Sequence, residues 1–147
     1  MNNSITTILA GKSRALHAVS TKVTVLEAVQ KMNQHKVGAI LVMEGEKLVG
    51  IFTERDVLTR VISATLDPRV TVITEVMTKN VLTIAPEATV QEVMDLFAEK
   101  RCRHLPVIQT GELVGLISIG DVSRWVANVH RAEAESLRQY IAGGLST

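Results

Sequence analysis

Two short stretches of the 147-residue chain place a hydroxyl and a carboxylate at one spacing. The first is Gly50-Ile51-Phe52-Thr53-Glu54-Arg55-Asp56 and the second is Gly115-Leu116-Ile117-Ser118-Ile119-Gly120-Asp121. In each, an apolar run ends at Thr or Ser, a helix is expected to follow, and an Asp stands three positions on. Two chemistries use that geometry. In a capping box the hydroxyl caps the helix and the acid three along completes the exchange. Alternatively, a helix N-terminus offers backbone N–H groups and a partial positive charge to a phosphate. Thr53 or Ser118 then adds a donor, and Asp56 or Asp121, one turn in, accepts from a ribose diol. A nucleotide carries its groups in that order.

The elements that position these residues are repeated. Aligning Thr24 with Thr89, an offset of 65 (89 − 24), lets the halves run together without a gap. Thr24-Val25-Leu26-Glu27 faces Thr89-Val90-Gln91-Glu92, and Leu48-Val49-Gly50-Ile51 faces Leu113-Val114-Gly115-Leu116. Thr53-Glu54-Arg55-Asp56-Val57 faces Ser118-Ile119-Gly120-Asp121-Val122 at the same offset, and three matches in one register are a duplication. Residues 24–34 carry apolar side chains at Val25, Ala28, Val29 and Met32, the spacing of a half-buried helix, and residues 89–100 repeat it. Thr24 and Thr89, with Glu27 and Glu92, mark the helix starts. Residues 37–42 and 48–52, and again 105–108 and 113–117, are apolar runs around Glu44-Gly45-Glu46 and Gln109-Thr110-Gly111, a hairpin pattern. Pro106 argues for an edge or strand-start position. A second helix closes each half, over 54–62 and 119–127, and a short strand precedes each near 16–19 or 81–84. The class is α+β: two β-α-β-β-α repeats over residues 5–62 and 77–127, with residues 63–76 as connection. About 55 residues cannot bury a sheet face alone, so the copies are expected to pack sheet to sheet. Residues 128–147 extend a long amphipathic helix, with an apolar stripe through Trp125, Val126, Val129, Leu137, Tyr140 and Ile141. It is expected to end at Gly143-Gly144 and to rest on the partner repeat or a second subunit.

Paired closing motifs Leu-Val-Gly-Ile-Phe-Thr-Glu-Arg-Asp-Val and Leu-Val-Gly-Leu-Ile-Ser-Ile-Gly-Asp-Val resemble those of the cystathionine-beta-synthase (CBS) domain family, over about residues 5–127. Arg101-Cys102-Arg103-His104-Leu105-Pro106-Val107 is similar to the second-repeat strand of its stand-alone bacterial members. The resemblance implies a Bateman module, a pseudo-two-fold pair of repeats that commonly dimerises and binds AMP, ATP, NAD or S-adenosylmethionine between the repeats. Carried over residue by residue, it implies two clefts. One uses Thr53, Arg55 and Asp56 with Val81, Arg103 and His104. The other uses Ser118, Gly120 and Asp121 with Lys12, Leu16, Val37, Gly38 and Ala39. Gly120 stands where Arg55 stands, and Gly38-Ala39 where Arg103-His104 stand, so the clefts are expected to differ. The Arg55 cleft is expected to take the more highly charged phosphate end.

Composition narrows the partners. Sixteen basic and fifteen acidic residues give a net charge of +1, without the basic footprint of a nucleic-acid binder. Aromatic residues are 3%, so the core is aliphatic and adenine would lie between aliphatic side chains. A single cysteine, Cys102, fits a reducing compartment, although Arg101 and Arg103 beside it could lower its pKa. The first residues are not read as a secretory leader, and no run reaches the roughly 20 apolar residues of a membrane span. A cytoplasmic protein is expected. His17, His35, His104 and His130 lack ligand spacing, so no metal is expected. No nucleophile–base pair or enzymatic phosphate loop is present, so no catalysis and no catalytic cofactor are expected. The sequence thus reads as a nucleotide-sensing homodimer acting on an unnamed downstream protein. The rival is a ligand-independent homodimeric scaffold in which both motifs are only caps.

Overall fold

A computed structural model describes residues 2–12 and 15–145. Residues 13 and 14 of the expected first repeat, and residues 146 and 147 of the expected extension, lie outside them. The chain forms two compact units. Among the described residues, one takes 2–12, Pro86–Leu105 and 117–145; the other takes 15–85 and Pro106–Leu116.

In chain order the elements are α1 (Thr6–Ala10), β1 (Ala18–Ser20), α2 (Val25–His35), β2 (Ala39–Glu44), β3 (Lys47–Thr53), α3 (Glu54–Asp56), α4 (Val90–Lys100), β4 (His104–Gln109), β5 (Glu112–Ser118) and α5 (Ile119–Leu145). A π-helix, Val57–Ile62, continues from α3, and a 3-10 turn, Ile73–Glu75, lies in the connection. β1 runs parallel to β2, which pairs antiparallel with β3; β4 and β5 form the second sheet.

The duplication reaches the backbone. Thr24 Oγ1 accepts from Glu27 N–H at 3.2 Å and Thr89 Oγ1 from Glu92 N–H at 3.1 Å, as the Thr-x-x-Glu spacing requires. Both helices then stop on a left-handed residue, Lys36 (φ 54°) and Arg101 (φ 52°). The first-turn donors are taken by other segments. Val25 N–H reaches Thr71 O and Leu26 N–H reaches Pro68 O, whereas Val90 N–H reaches Asn3 O. The connection thus folds back over the start of α2.

The chain departs from the sequence reading at four places, three of them with local causes. The opening strand of the second half is reduced to one bridge, Ile84 to Val107. In the first half Leu41 N–H donates to His17 O at 3.1 Å, and its counterpart Pro106 has no N–H to give. The expected helix over 54–62 is three α-helical residues followed by the π-helix. The terminal helix begins at Ile119 without a break and runs through Gly143 and Gly144 to Leu145, because neither glycine takes positive φ. Cys102 lies in the loop before β4, where burial pushes its thiol up and outweighs a backbone hydrogen bond that lowers it; the flanking arginines do not activate it.

The main core cluster gathers Val25, Ala28 and Met32 of α2 against Ile40, Val42 and Phe52, closed by Val61, Ile73, Val76 and Met77. A Cβ on Gly50 would collide with the Met77 thioether, which is why this strand position holds glycine. On the other face Ala39, Leu41 and Ile51 pack with Val81, Leu48, Leu113 and Leu116.

Candidate functional site

Each repeat ends its hairpin in the same corner. β3 delivers Thr53 in extended conformation, and the chain turns helical at once. Asp56 N–H donates to Thr53 Oγ1 at 3.3 Å, while Thr53 N–H and Oγ1 donate to Asp56 Oδ2 at 3.0 and 3.2 Å. β5 delivers Ser118 likewise: Asp121 N–H donates to Ser118 Oγ at 3.1 Å and Ser118 N–H to Asp121 Oδ2 at 2.8 Å. Both carboxylates are buried, at 8% exposure. The capping box expected from the sequence is therefore present at both corners.

The second ring of groups differs. Asp56 Oδ1 lies 3.5 Å from Arg60 Nε, and Arg60 also donates to Met77 O at 3.1 Å. Asp121 is held more tightly. Lys12 Nζ donates to Oδ2 and Arg124 to Oδ1, each at 2.6 Å. Burial pushes the Asp121 carboxyl up, but the Lys12 hydrogen bond, the Ser118 amide and the Lys12 charge together hold it below its ordinary value. Arg60 and Arg124 were not among the candidates from sequence, although their placement four and three residues after each Asp was a usable signal.

The remaining candidates fall into place by unit. Glu54 N–H donates to Gly38 O at 3.0 Å, so Gly38 adjoins the Thr53 corner, and a Cβ there would meet Glu54 Oε1 at 2.9 Å. Ala39 pairs with Thr53 and is buried. Val37 packs half-buried on the main core, and Leu16 lies exposed before β1. Arg55 is exposed. In the other unit Ile119 N–H donates to Arg103 O at 2.9 Å, which sets Arg103 beside the Ser118 corner; His104 opens β4 half-buried. A Cβ on Gly120 would meet the Arg124 guanidinium at 3.3 Å and Ser118 Oγ at 3.7 Å. Val81 lines a depression of about 580 Å³ with Lys47, Leu48, Lys79, Thr83 and Ile108. That depression sits at the hairpin end of β3, six residues or about 20 Å of strand from Thr53. Among the described residues no group of three metal-ligating side chains gathers, and no helix is long and apolar enough to cross a membrane.

A duplicated hairpin feeding a capped helix is the CBS repeat, and the CBS domain family model matches residues 12–63 and 73–128. The chain belongs to the CBS-domain family and carries two repeats. It is 41% identical over 130 residues to CBS domain-containing protein CBSX3, mitochondrial, of Arabidopsis thaliana. The match covers 85% of this chain and 63% of that relative's length. A putative signal-transduction protein with CBS domains from Burkholderia ambifaria is 36% identical, with a TM-score of 0.82 over 84% of this chain and 93% of that one. CBS domain protein PAE2072 from Pyrobaculum aerophilum, solved in complex with AMP, shares the fold at 21% identity, with a TM-score of 0.72 over 81% of this chain and 89% of that one.

Proposed function

We propose that the chain is a non-catalytic regulatory module that binds an adenine nucleotide, AMP first and ATP or NAD(H) as alternatives. It would act as a cytoplasmic homodimer that passes its state to a downstream protein. The observation that carries this reading is the pair of buried acids, Asp56 and Asp121, each one turn inside a helix that starts on a hydroxyl residue. The ribose diol would share the carboxylate, and the phosphate would meet the hydroxyl and first-turn amides. The AMP complex of a fold relative supports the choice of ligand.

At the Thr53 corner the exposed Arg55 is available to the phosphate. At the Ser118 corner a ribose must share Asp121 with Lys12 and Arg124. Each charge-assisted hydrogen bond is worth roughly 1.5–3 kcal/mol, so the Thr53 corner would bind about tenfold more tightly or better. Gly38 and Ala39, beside the Thr53 corner, and Arg103, beside the Ser118 corner, are proposed to contribute to the site of their own unit.

The scaffold reading has its own observation, since capping and ion pairs already engage both carboxylates. A thermal-shift series with AMP, ADP, ATP, NAD, NADH and S-adenosylmethionine separates the two. A ligand at about 100 times its Kd stabilises by roughly 2.7 kcal/mol, a rise of about 5–10 °C for a chain of this size. Asp56→Ala should remove most of that rise. No shift with any of the six would favour the scaffold.

A further inference from the structure

We propose that Arg60 is the positioning residue of the Thr53 corner. Anchored on backbone carbonyls, it sets its charge beside Asp56 Oδ1 and leaves that oxygen open to a ribose hydroxyl. This rests on the nucleotide reading above and deepens it, by naming what makes the corner selective for the sugar.

The two oxygens of Asp56 have different duties. Oδ2 already accepts from Thr53 N–H at 3.0 Å and from Thr53 Oγ1 at 3.2 Å. Among the described residues Oδ1 accepts no hydrogen bond, so it is the oxygen left for a ligand. Arg60 Nε lies 3.5 Å from it, close enough for an ion pair and too far for a normal hydrogen bond. The charge is supplied and the acceptor is not consumed.

Arg60 does not depend on Asp56 for its place. Its Nη1 donates to Met77 O at 3.1 Å and to Val76 O at 3.4 Å. Those carbonyls are themselves fixed. Val76 and Met77 N–H both donate to Ile73 O, and Thr78 exchanges both backbone bonds with Ile51 of β3. Next to Arg60 in the chain, Val61 is buried in the same cluster as Ile73, Val76 and Met77. The π-helix is therefore seated on the 73–78 segment, and the guanidinium is in position before any ligand arrives.

The second corner lacks this device. By the 65-residue offset Arg60 corresponds to Trp125. Lys12 and Arg124 bond the Asp121 oxygens directly instead, each at 2.6 Å. One arrangement aims its carboxylate and the other occupies it.

The test is calorimetric titration of the full chain, read at the tighter site, with AMP, adenosine and 2′,3′-dideoxy-AMP. Arg60→Gln should raise the Kd of AMP and adenosine alike by about tenfold, the scale of a weakened bond to a charged group. It should leave the dideoxy nucleotide, which has no hydroxyl for Oδ1, within about twofold of its parent value. Arg55→Gln should do the reverse, weakening AMP and sparing adenosine. An Arg60 with a merely structural role would weaken all three ligands together, so an unchanged ratio of AMP to dideoxy affinity would overturn the proposal. Tighter AMP binding by Arg60→Gln would also overturn it, by showing a competitor for Oδ1. Should the Gln variant fail to fold, Arg60→Lys carries the same test: it keeps the charge, loses the two-carbonyl anchor, and should lose part of the ribose selectivity. A parent that binds AMP as well as its Arg60 variants do would remove the role of Arg60 alone. A parent that binds none of the three ligands would sink the nucleotide reading itself, and this role with it.

Discussion

At the Thr53 corner the Asp56 carboxylate is held by its own turn and, at 3.5 Å, by Arg60 from the next turn. At the Ser118 corner Asp121 makes the same backbone exchange and is also gripped at 2.6 Å by Lys12 and Arg124. The duplication kept the cap and moved the cations. By the 65-residue offset, Lys12 corresponds to Met77, whose side chain fills the core over Gly50, and Arg55 corresponds to Gly120. One corner therefore turns its positive charge outward and the other spends it on its own acid. A shared capping motif fixes where the carboxylate sits; the neighbours decide how much of it a ligand can claim.

The largest contrast should come from neutralising the acids. Asp121→Asn leaves Lys12 and Arg124 without their carboxylate and should cost about 2–3 kcal/mol, less than a fully buried pair because both cations are partly exposed. Asp56→Asn should cost about 1 kcal/mol, the value of a cap. Urea unfolding measures both, and equal losses would break the comparison. Lys12→Met, which installs the counterpart residue, should cost about 1 kcal/mol in the same assay and leave the double variant with Asp121→Asn non-additive. Gly120→Arg goes the other way, removing a helix glycine worth up to about 1 kcal/mol and giving the second corner an outward cation. It should raise nucleotide affinity at that corner, while the cation it places in the first turn of α5, beside Arg124, offsets the gain from removing the glycine.

Two pH effects are smaller. Asp121 sits below its ordinary carboxyl value, so it binds fewer protons folded than unfolded near pH 4. Its stabilisation should be present above that ordinary value, fade as pH falls from it through the lowered folded-state value, and be absent from the Asp121→Asn curve. The first half alone carries a stacked pair, His17 on His35, with ring centroids 4.0 Å apart. Partial burial, then His35 and Lys31, hold the His17 imidazole below its ordinary value of about 6.5. Folding therefore favours neutral His17, and stability should decline as pH drops from about 6.5 toward that lowered value. A His35→Leu variant should flatten the decline in a pH series of thermal melts.

Much of this architecture could be read before any coordinates. The Thr-x-x-Glu starts, the alternating runs around Gly45 and Gly111, and the Thr/Ser-x-x-Asp closures each have a local physical signature. The π-helix after Asp56 had none, since 54–62 carries an ordinary helical pattern. The missing first strand of the second repeat was half visible: Pro106 signalled an edge, but which hydrogen bond it deleted depended on pairing with residue 82. α1 escaped notice because Thr6–Ala10 starts from Ile5 without a side-chain cap. At the corners the residue types and spacing were evident. The grip of Lys12 on Asp121 joins positions 109 residues apart and belongs to tertiary packing.

Calorimetric titration of AMP into the parent, Asp56→Ala and Asp121→Ala chains addresses the unequal corners most directly. Two sites separated by about tenfold or more in Kd are expected, the tighter lost with Asp56→Ala and the weaker with Asp121→Ala. Two identical sites, or binding that ignores both substitutions, would contradict the account.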